Sequence, residues 1–210
     1  MSHRIMLVPA GFGVGLSSIA LGAMHACQQR GIKVCYFKPI SQPARNTRHH
    51  NEPEKHNHSI PLSYVEEKMA DGDHEVDLEG IIENISELEK EHDVIIIEGL
   101  IPTTRQPYAG RINRDVAKAL SADIVLVASP DKDSLVEFED RLEVSAETYG
   151  GLKNKRVIGC IINKVNAPDK DEFGLLPKES NIEAPWQLSD FEQLAIFNKR
   201  NFSLLGAVPW

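Results

Sequence analysis

Cysteine is scarce in this chain of 210 residues, which holds only Cys27, Cys35 and Cys160. Their odd number, wide spacing and apolar surroundings read as reduced, buried thiols and argue against a disulfide framework or a cysteine zinc site. Long apolar runs are missing as well. No stretch approaches the ~18 residues of a membrane span, and Ile5 to Val8 is broken at once by Pro9 and glycines, so no signal peptide is legible. Both absences point to the cytoplasm. Basic charge is in deficit, with 23 Lys and Arg against 31 Asp and Glu. The resulting net charge of −8 argues against general binding to nucleic acid or to an anionic membrane. Any anion must therefore be held by a local site. What remains, 41% hydrophobic and 26% charged residues, is the composition of a globular protein, and 210 residues suit one domain over 1–210.

Short β-type runs alternate with stretches of helical period, the pattern of an α/β protein. Six strands are expected: Ile5 to Val8, Lys33 to Phe37, Val94 to Ile97, Ile124 to Ala128, Val157 to Ile162 and Leu204 to Val208. Most are continuously apolar, which suits a mainly parallel sheet with helices on both faces. Leu16, Ile19, Ala20, Ala23, Met24 and Cys27 form one helical stripe, closed by Gly31. Leu78, Ile81, Ile82, Ile85 and Leu88 form a second, and Leu135, Phe138, Leu142 and Ser145 a third. Ser63 with Glu66, Ser134 with Glu137 and Ser189 with Glu192 match capping boxes and so mark helix starts. Residues 41–61 and 166–187 lack periodicity and read as long surface loops.

The turn between the first strand and first helix reads Pro9-Ala10-Gly11-Phe12-Gly13-Val14-Gly15-Leu16-Ser17-Ser18. Glycines there let backbone N–H groups converge on an anion at the positive end of a helix. A full Walker A motif needs a glycine where Ala10 stands and a lysine where Leu16 stands. Ser17 keeps the hydroxyl that would serve a magnesium ion, but the lysine that would reach the β- and γ-phosphates is missing. Since phosphoryl transfer depends on such charge, ATP hydrolysis is expected to be lost or severely weakened. The glycines stand too close for a dinucleotide fingerprint, and no acid follows the second strand. Two readings stay open for Gly11, Gly13, Gly15, Ser17 and Ser18: an anion or nucleotide site, or a tight turn that binds nothing.

Asp93-Val94-Ile95-Ile96-Ile97-Glu98 resembles a Walker B strand, placing Glu98 at a strand's carboxyl end, where α/β ligands bind. Glu98 would order a magnesium-bound water or salt-bridge the next loop. Lys38 also ends a strand and would supply the charge absent at Leu16, or be a solvated loop residue. Asn163 follows the fifth strand, where P-loop folds often read a base, and equally fits a turn. His49, His50, His56 and His58 lie in a Pro- and Asn-rich loop without the spacing of a metal site, so no metal is expected.

Taken in order, several segments resemble the N-terminal domain of the long form of bacterial phosphate acetyltransferase. They are Ile5-Met6-Leu7-Val8-Pro9 with Gly13-Val14-Gly15-Leu16-Ser17-Ser18, Phe37-Lys38-Pro39-Ile40-Ser41-Gln42-Pro43, and Leu62-Ser63-Tyr64-Val65-Glu66. Glu98-Gly99-Leu100-Ile101-Pro102-Thr103, Ile162-Asn163-Lys164-Val165-Asn166-Ala167-Pro168 and Leu205-Gly206-Ala207-Val208-Pro209-Trp210 continue the match. That domain is similar to the dethiobiotin synthetase and cobyrinic acid amidase family of ATP-using P-loop proteins, from which this chain departs at Leu16 and at Leu100-Ile101-Pro102.

The resemblance implies a P-loop-like fold, no catalytic residue in this stretch, and a C-terminal acetyltransferase domain as partner beyond Trp210. It also implies a homo-oligomer, a regulatory and assembly role, and no required cofactor. A small anionic effector or nucleotide would sit among the glycine loop, Lys38, Glu98 and Asn163. The alternatives are an ATP-dependent ligase of dethiobiotin synthetase type, with Lys38 replacing the loop lysine, and a purely structural oligomerisation domain.

Overall fold

A computed structural model describes residues 2–42, 59–70, 77–103, 106–130, 133–165, 186–198 and 202–209. It has the three-layer α/β fold expected, built on a six-stranded parallel sheet. The chain runs β1 (His3–Pro9), α1 (Leu16–Gln29), β2 (Val34–Phe37), β3 (Ile40–Ser41), β4 (Ile60–Pro61), α2 (Leu62–Ala70) and α3 (Leu78–Leu88). It continues with β5 (Val94–Glu98), α4 (Ala109–Ala119), β6 (Asp123–Ala128), α5 (Leu135–Glu147), β7 (Val157–Asn163), α6 (Leu188–Glu192), a 3-10 turn (Ala195–Asn198) and β8 (Ser203–Val208). All six expected strands form. No helix among the described residues is long and apolar enough to cross a membrane.

The residues group into two compact units, Met1–Val8 with Ser17–Asp123, and Pro9–Leu16 with Ile124–Trp210. In the first, β5 lies between β1 and β2 and pairs with both in parallel, Leu7 facing Glu98 and Phe37 facing Ile97. Parallel pairing puts the carboxyl ends of all three strands on one edge. Ile95, Ile96 and Ile97 are buried along β5, the composition of a strand covered on both faces. Helix α1 closes as the glycine at its end foretold. Gly31, at φ 73°, donates to Gln28 O at 2.9 Å and Ile32 to Cys27 O at 3.1 Å, the two bonds of a Schellman motif.

The α3 stripe buries Ile81 and Ile85 completely, and Asp77 caps its start by accepting from Gly80 N at 3.0 Å. Helix α4 was not foreseen. Arg111, Arg114, Asp115 and Lys118 dilute its apolar signal, and its buried face is carried by Ala109, Ile112, Asn113, Val116 and Ala117. The loop read over 41–61 has paired ends, with β3 and β4 forming a short parallel bridge. The four loop histidines, and most of the loop read over 166–187, lie outside the described residues.

In the second unit, β7 pairs in parallel with β6 and with β8. Phe138 and Leu142 of α5 are fully buried, and Phe138 meets Phe191 edge-on at 5.2 Å. Of the three capping boxes read from the sequence, only Ser134 with Glu137 forms. Ser63 falls inside α2, which begins at Leu62, and Glu66 instead accepts from Gln106 Nε2 at 2.9 Å and Tyr108 Oη at 2.8 Å. Ser189 falls inside α6, whose start is held by Gln187 N donating to Asp190 at 2.8 Å. A Ser-x-x-Glu spacing has no power to distinguish the cap from the first turn when the preceding residue also adopts helical geometry.

Candidate functional site

In the first unit, the carboxyl-end edge of β1, β5 and β2 gathers four polar side chains. Glu98 ends β5 and is 1% exposed. Its Oε1 accepts from Ser17 Oγ at 2.9 Å and lies 3.0 Å from Lys38 Nζ, while its Oε2 accepts from Tyr36 Oη at 2.6 Å. The sequence motifs therefore meet: Ser17 from the start of α1, Lys38 from the end of β2 and Glu98 from β5. Tyr36 was missed, although it stands two residues before Lys38 and so on the same face of β2, a signal that strand alternation carries. A buried carboxylate is stable only when paired and hydrogen-bonded. Glu98 has one cation and two hydroxyl donors.

The turn after Glu98 is fixed by a residue that sequence reasoning also passed over. Asn113, 2% exposed on α4, accepts from Leu100 N at 2.7 Å and donates to Leu100 O at 2.9 Å, satisfying both backbone groups of that residue. Gly99 packs so closely that a Cβ there would stand 3.0 Å from Leu7 O and 3.1 Å from Asn113 Oδ1. These contacts set the direction in which the chain leaves the strand and hence where Glu98 points.

In the second unit, residues 9–15 form the glycine turn. Gly11, Gly13 and Gly15 all have positive φ (139°, 63° and 75°), a conformation that side chains resist. Three residues brace the turn through its carbonyls. Arg141 donates to Ala10 O and, at 2.8 Å, to Ser129 O, and pairs with Asp133 at 2.6 Å. Asn163 donates its amide to Val14 O at 2.9 Å, with its Nδ2 directly beside Gly15, and accepts from Lys164 N at 3.0 Å. Lys164, itself at φ 59°, donates its ammonium to Gly13 O at 2.8 Å. Asn163 is thus a loop brace, with both ends of its amide engaged. Arg141 and Lys164 were not singled out from the sequence. Lys164 adjoins Asn163 in the chain, whereas Arg141 is brought in by α5, and no local spacing announces it. Leu16, the residue at the lysine position of a Walker A loop, is 1% exposed. Ser18 is exposed.

A glycine turn between a parallel strand and a helix, with an acid at the end of a neighbouring strand, defines a P-loop-like α/β protein. A family model described as an AAA domain matches residues 3–210, and the chain belongs to that family. It is 37% identical over 222 residues to phosphate acetyltransferase of Haemophilus influenzae, the match covering 100% of this chain and 31% of that protein. To the phosphate acetyltransferase of Pseudomonas aeruginosa it is 34% identical over 221 residues, covering 99% of this chain and 30% of the relative. The resemblance read from the motifs thus extends along the chain, which spans about 31% of the length of the Haemophilus relative. Among solved structures, the cell division protein FtsY of Thermotoga maritima matches 78% of this chain and 53% of its own, at 14% identity and a TM-score of 0.47.

A P-loop-like protein implies a nucleotide whose phosphates are met by lysine and a divalent metal. The residues here do not fit that metal. Glu98, the acid that would face it, has an ammonium on the oxygen it shares with Ser17. No group of three His, Cys, Asp or Glu side chains able to hold a metal occurs among the described residues.

Proposed function

We propose that the chain is the regulatory and assembly module of a phosphate acetyltransferase, itself non-catalytic, with a degenerate Walker A loop. The parent reaction, acetyl-CoA plus phosphate giving acetyl phosphate plus CoA, would be carried by an acetyltransferase domain elsewhere in a longer protein. The observation that carries this reading is the buried leucine at position 16, together with the engagement of Lys38 by Glu98. The loop lysine is replaced by an apolar anchor, and the strand-end lysine, Lys38, is neutralised. Neither is available to reach the phosphates of a nucleotide, so the barrier to phosphoryl transfer stays high.

The glycine turn is the element we assign to an anion. Its carbonyls are engaged by Asn163, by Arg141, whose charge is paired with Asp133, and by Lys164, the cation of the turn that supports this assignment in an otherwise acidic chain. Small anionic metabolites or a nucleotide, in the cytoplasm and without a required cofactor, are the effector class. Homo-oligomerisation and contact with the acetyltransferase domain are the assembly role.

Titration calorimetry of the 210-residue chain with ATP, NADH, pyruvate and phosphate tests the reading. Heat from at least one, reduced in Lys164→Ala, is expected. Silence from all four would leave assembly alone. Acetyl phosphate formation by this chain should be undetectable, and turnover would refute the non-catalytic assignment. The hydrogen bond from Ser17 to Glu98 favours a second reading, an ATP-dependent ligase of dethiobiotin synthetase type. It predicts magnesium-dependent ADP release that disappears in Glu98→Gln.

A further inference from the structure

We infer that Lys38 is a built-in counter-ion that takes the place of a divalent metal at Glu98, so that this acid holds no metal in the native chain. The inference concerns the cation alone and does not depend on which anion the glycine turn takes. Glu98 has a side chain with no solvent exposure, and that of Lys38 is 14% exposed. The ammonium and the Ser17 hydroxyl both address Oε1, at 3.0 and 2.9 Å, and Tyr36 takes Oε2 at 2.6 Å.

A hydroxyl at the start of a helix beside a carboxylate at a strand end, as Ser17 and Glu98 are, makes the kind of oxygen donor pair that hard divalent cations select. Here the pair faces a cation supplied by the chain. Two positive groups cannot share one carboxylate oxygen without repulsion in a site that excludes water. The lysine is covalently tethered and therefore present at high effective concentration, so a free divalent ion competes poorly. Both Glu98 and Lys38 sit at the ends of paired neighbours in one parallel array, β5 and β2, so strand register itself delivers the ammonium to the acid.

The test removes the tether and asks whether a metal takes its place. In wild type, melting temperature should not change between metal-free buffer and millimolar Mn2+. Lys38→Ala leaves the buried carboxylate without a counter-ion, and its melting temperature should fall by about 10 °C. Millimolar Mn2+ should then restore about 5 °C or more of that loss. Lys38→Met with Glu98→Gln, which removes both charges while keeping volume, should melt near wild type and ignore Mn2+. A folded Lys38→Ala that does not respond to Mn2+ overturns the inference. So does a wild-type response abolished by Glu98→Gln. A measurement on the native chain needs no variant to fold: Mn2+ should leave the amide NMR signals of Ser17, Tyr36 and Lys38 sharp, and selective broadening of these signals would equally overturn it.

Discussion

Gly15 shows how one missing methyl group shapes the glycine turn. Its φ of 75° disfavours any side chain, and a Cβ there would run into the amide of Asn163, which holds Val14 O. Gly13, at φ 63°, has nothing within 4 Å of the same hypothetical atom. The two alanine variants should therefore separate: Gly13→Ala bears only the left-handed backbone cost of about 1 kcal/mol, while Gly15→Ala adds the displaced Asn163 and loses about 2 kcal/mol or more. Urea unfolding measures both, and equal losses would mean that Asn163 does not approach Gly15. Leu16 tells the complementary story. Introducing a lysine there, as Leu16→Lys, buries an ammonium where a 1% exposed leucine packs, with an expected cost of about 3 kcal/mol. An unchanged midpoint would mean that the side chain at 16 reaches solvent.

At the scale of elements, β1, α3 and α4 are clasped by one arginine. Arg4 meets Glu89 at the end of α3 through two bonds of 2.6 and 2.8 Å, and its remaining nitrogen donates to Leu120 O beyond α4 at 2.7 Å. Hydrogen bonding from Arg4 holds the Glu89 carboxyl below the usual carboxylate range. The unfolded chain therefore binds the proton more tightly, so this contribution to stability is full above the ordinary carboxylate pKa and is lost as pH falls through the depressed one. Glu89→Gln should cost about 1 kcal/mol at pH 7, reduced from a buried pair by partial exposure. Its stability curve should converge on wild type in acid, and a gap that persists at pH 2 would place the effect elsewhere. In α5, Ser134 N and Oγ donate to Glu137 at 2.8 and 2.7 Å and Glu137 N returns a bond at 3.3 Å. Ser134→Ala should lower stability by about 1 kcal/mol, read by urea unfolding.

For the molecule as a whole, the three thiols report on how fully the core is closed. Burial pushes the Cys35 thiol up to about 11, and Cys160, with no exposed surface, is raised further by the same cause. Thiolate is the reactive form, so both should react with a disulfide reagent far more slowly in the folded chain than in denaturant. Mass spectrometry after a brief pulse at pH 8 should find Cys160 unmodified in each native sample and all three thiols modified in 6 M guanidinium. Prompt labelling of native Cys160 would contradict the packing of β7.

The sequence by itself determined the six strands, the burial of the apolar runs of β1, β5, β6 and β7 (β8, whose run was read the same way, buries none of its residues), the Schellman end of α1 and the residue types of the candidate site. These follow from local causes: apolar periodicity, the left-handed freedom of Gly31 and the chemistry of Ser17, Lys38, Glu98 and Asn163. Helix α4 escaped although its two faces divide sharply, because its buried face carries only two large aliphatic residues, Ile112 and Val116, among alanine, asparagine and charged neighbours, so no apolar stripe stood out. Only the tertiary structure decided that β5 inserts between β1 and β2, since backbone pairing carries no local label for its partner. That insertion brings Ser17, Tyr36, Lys38 and Glu98 together across distances of up to 81 residues in the chain. It turns Lys38 from a spare charge into the partner of an acid. Arg141 reaches Ala10 by the same kind of long-range placement, 131 residues away. Charge and hydrogen-bonding capacity belong to residues, but which donor meets which acceptor is settled by register and packing.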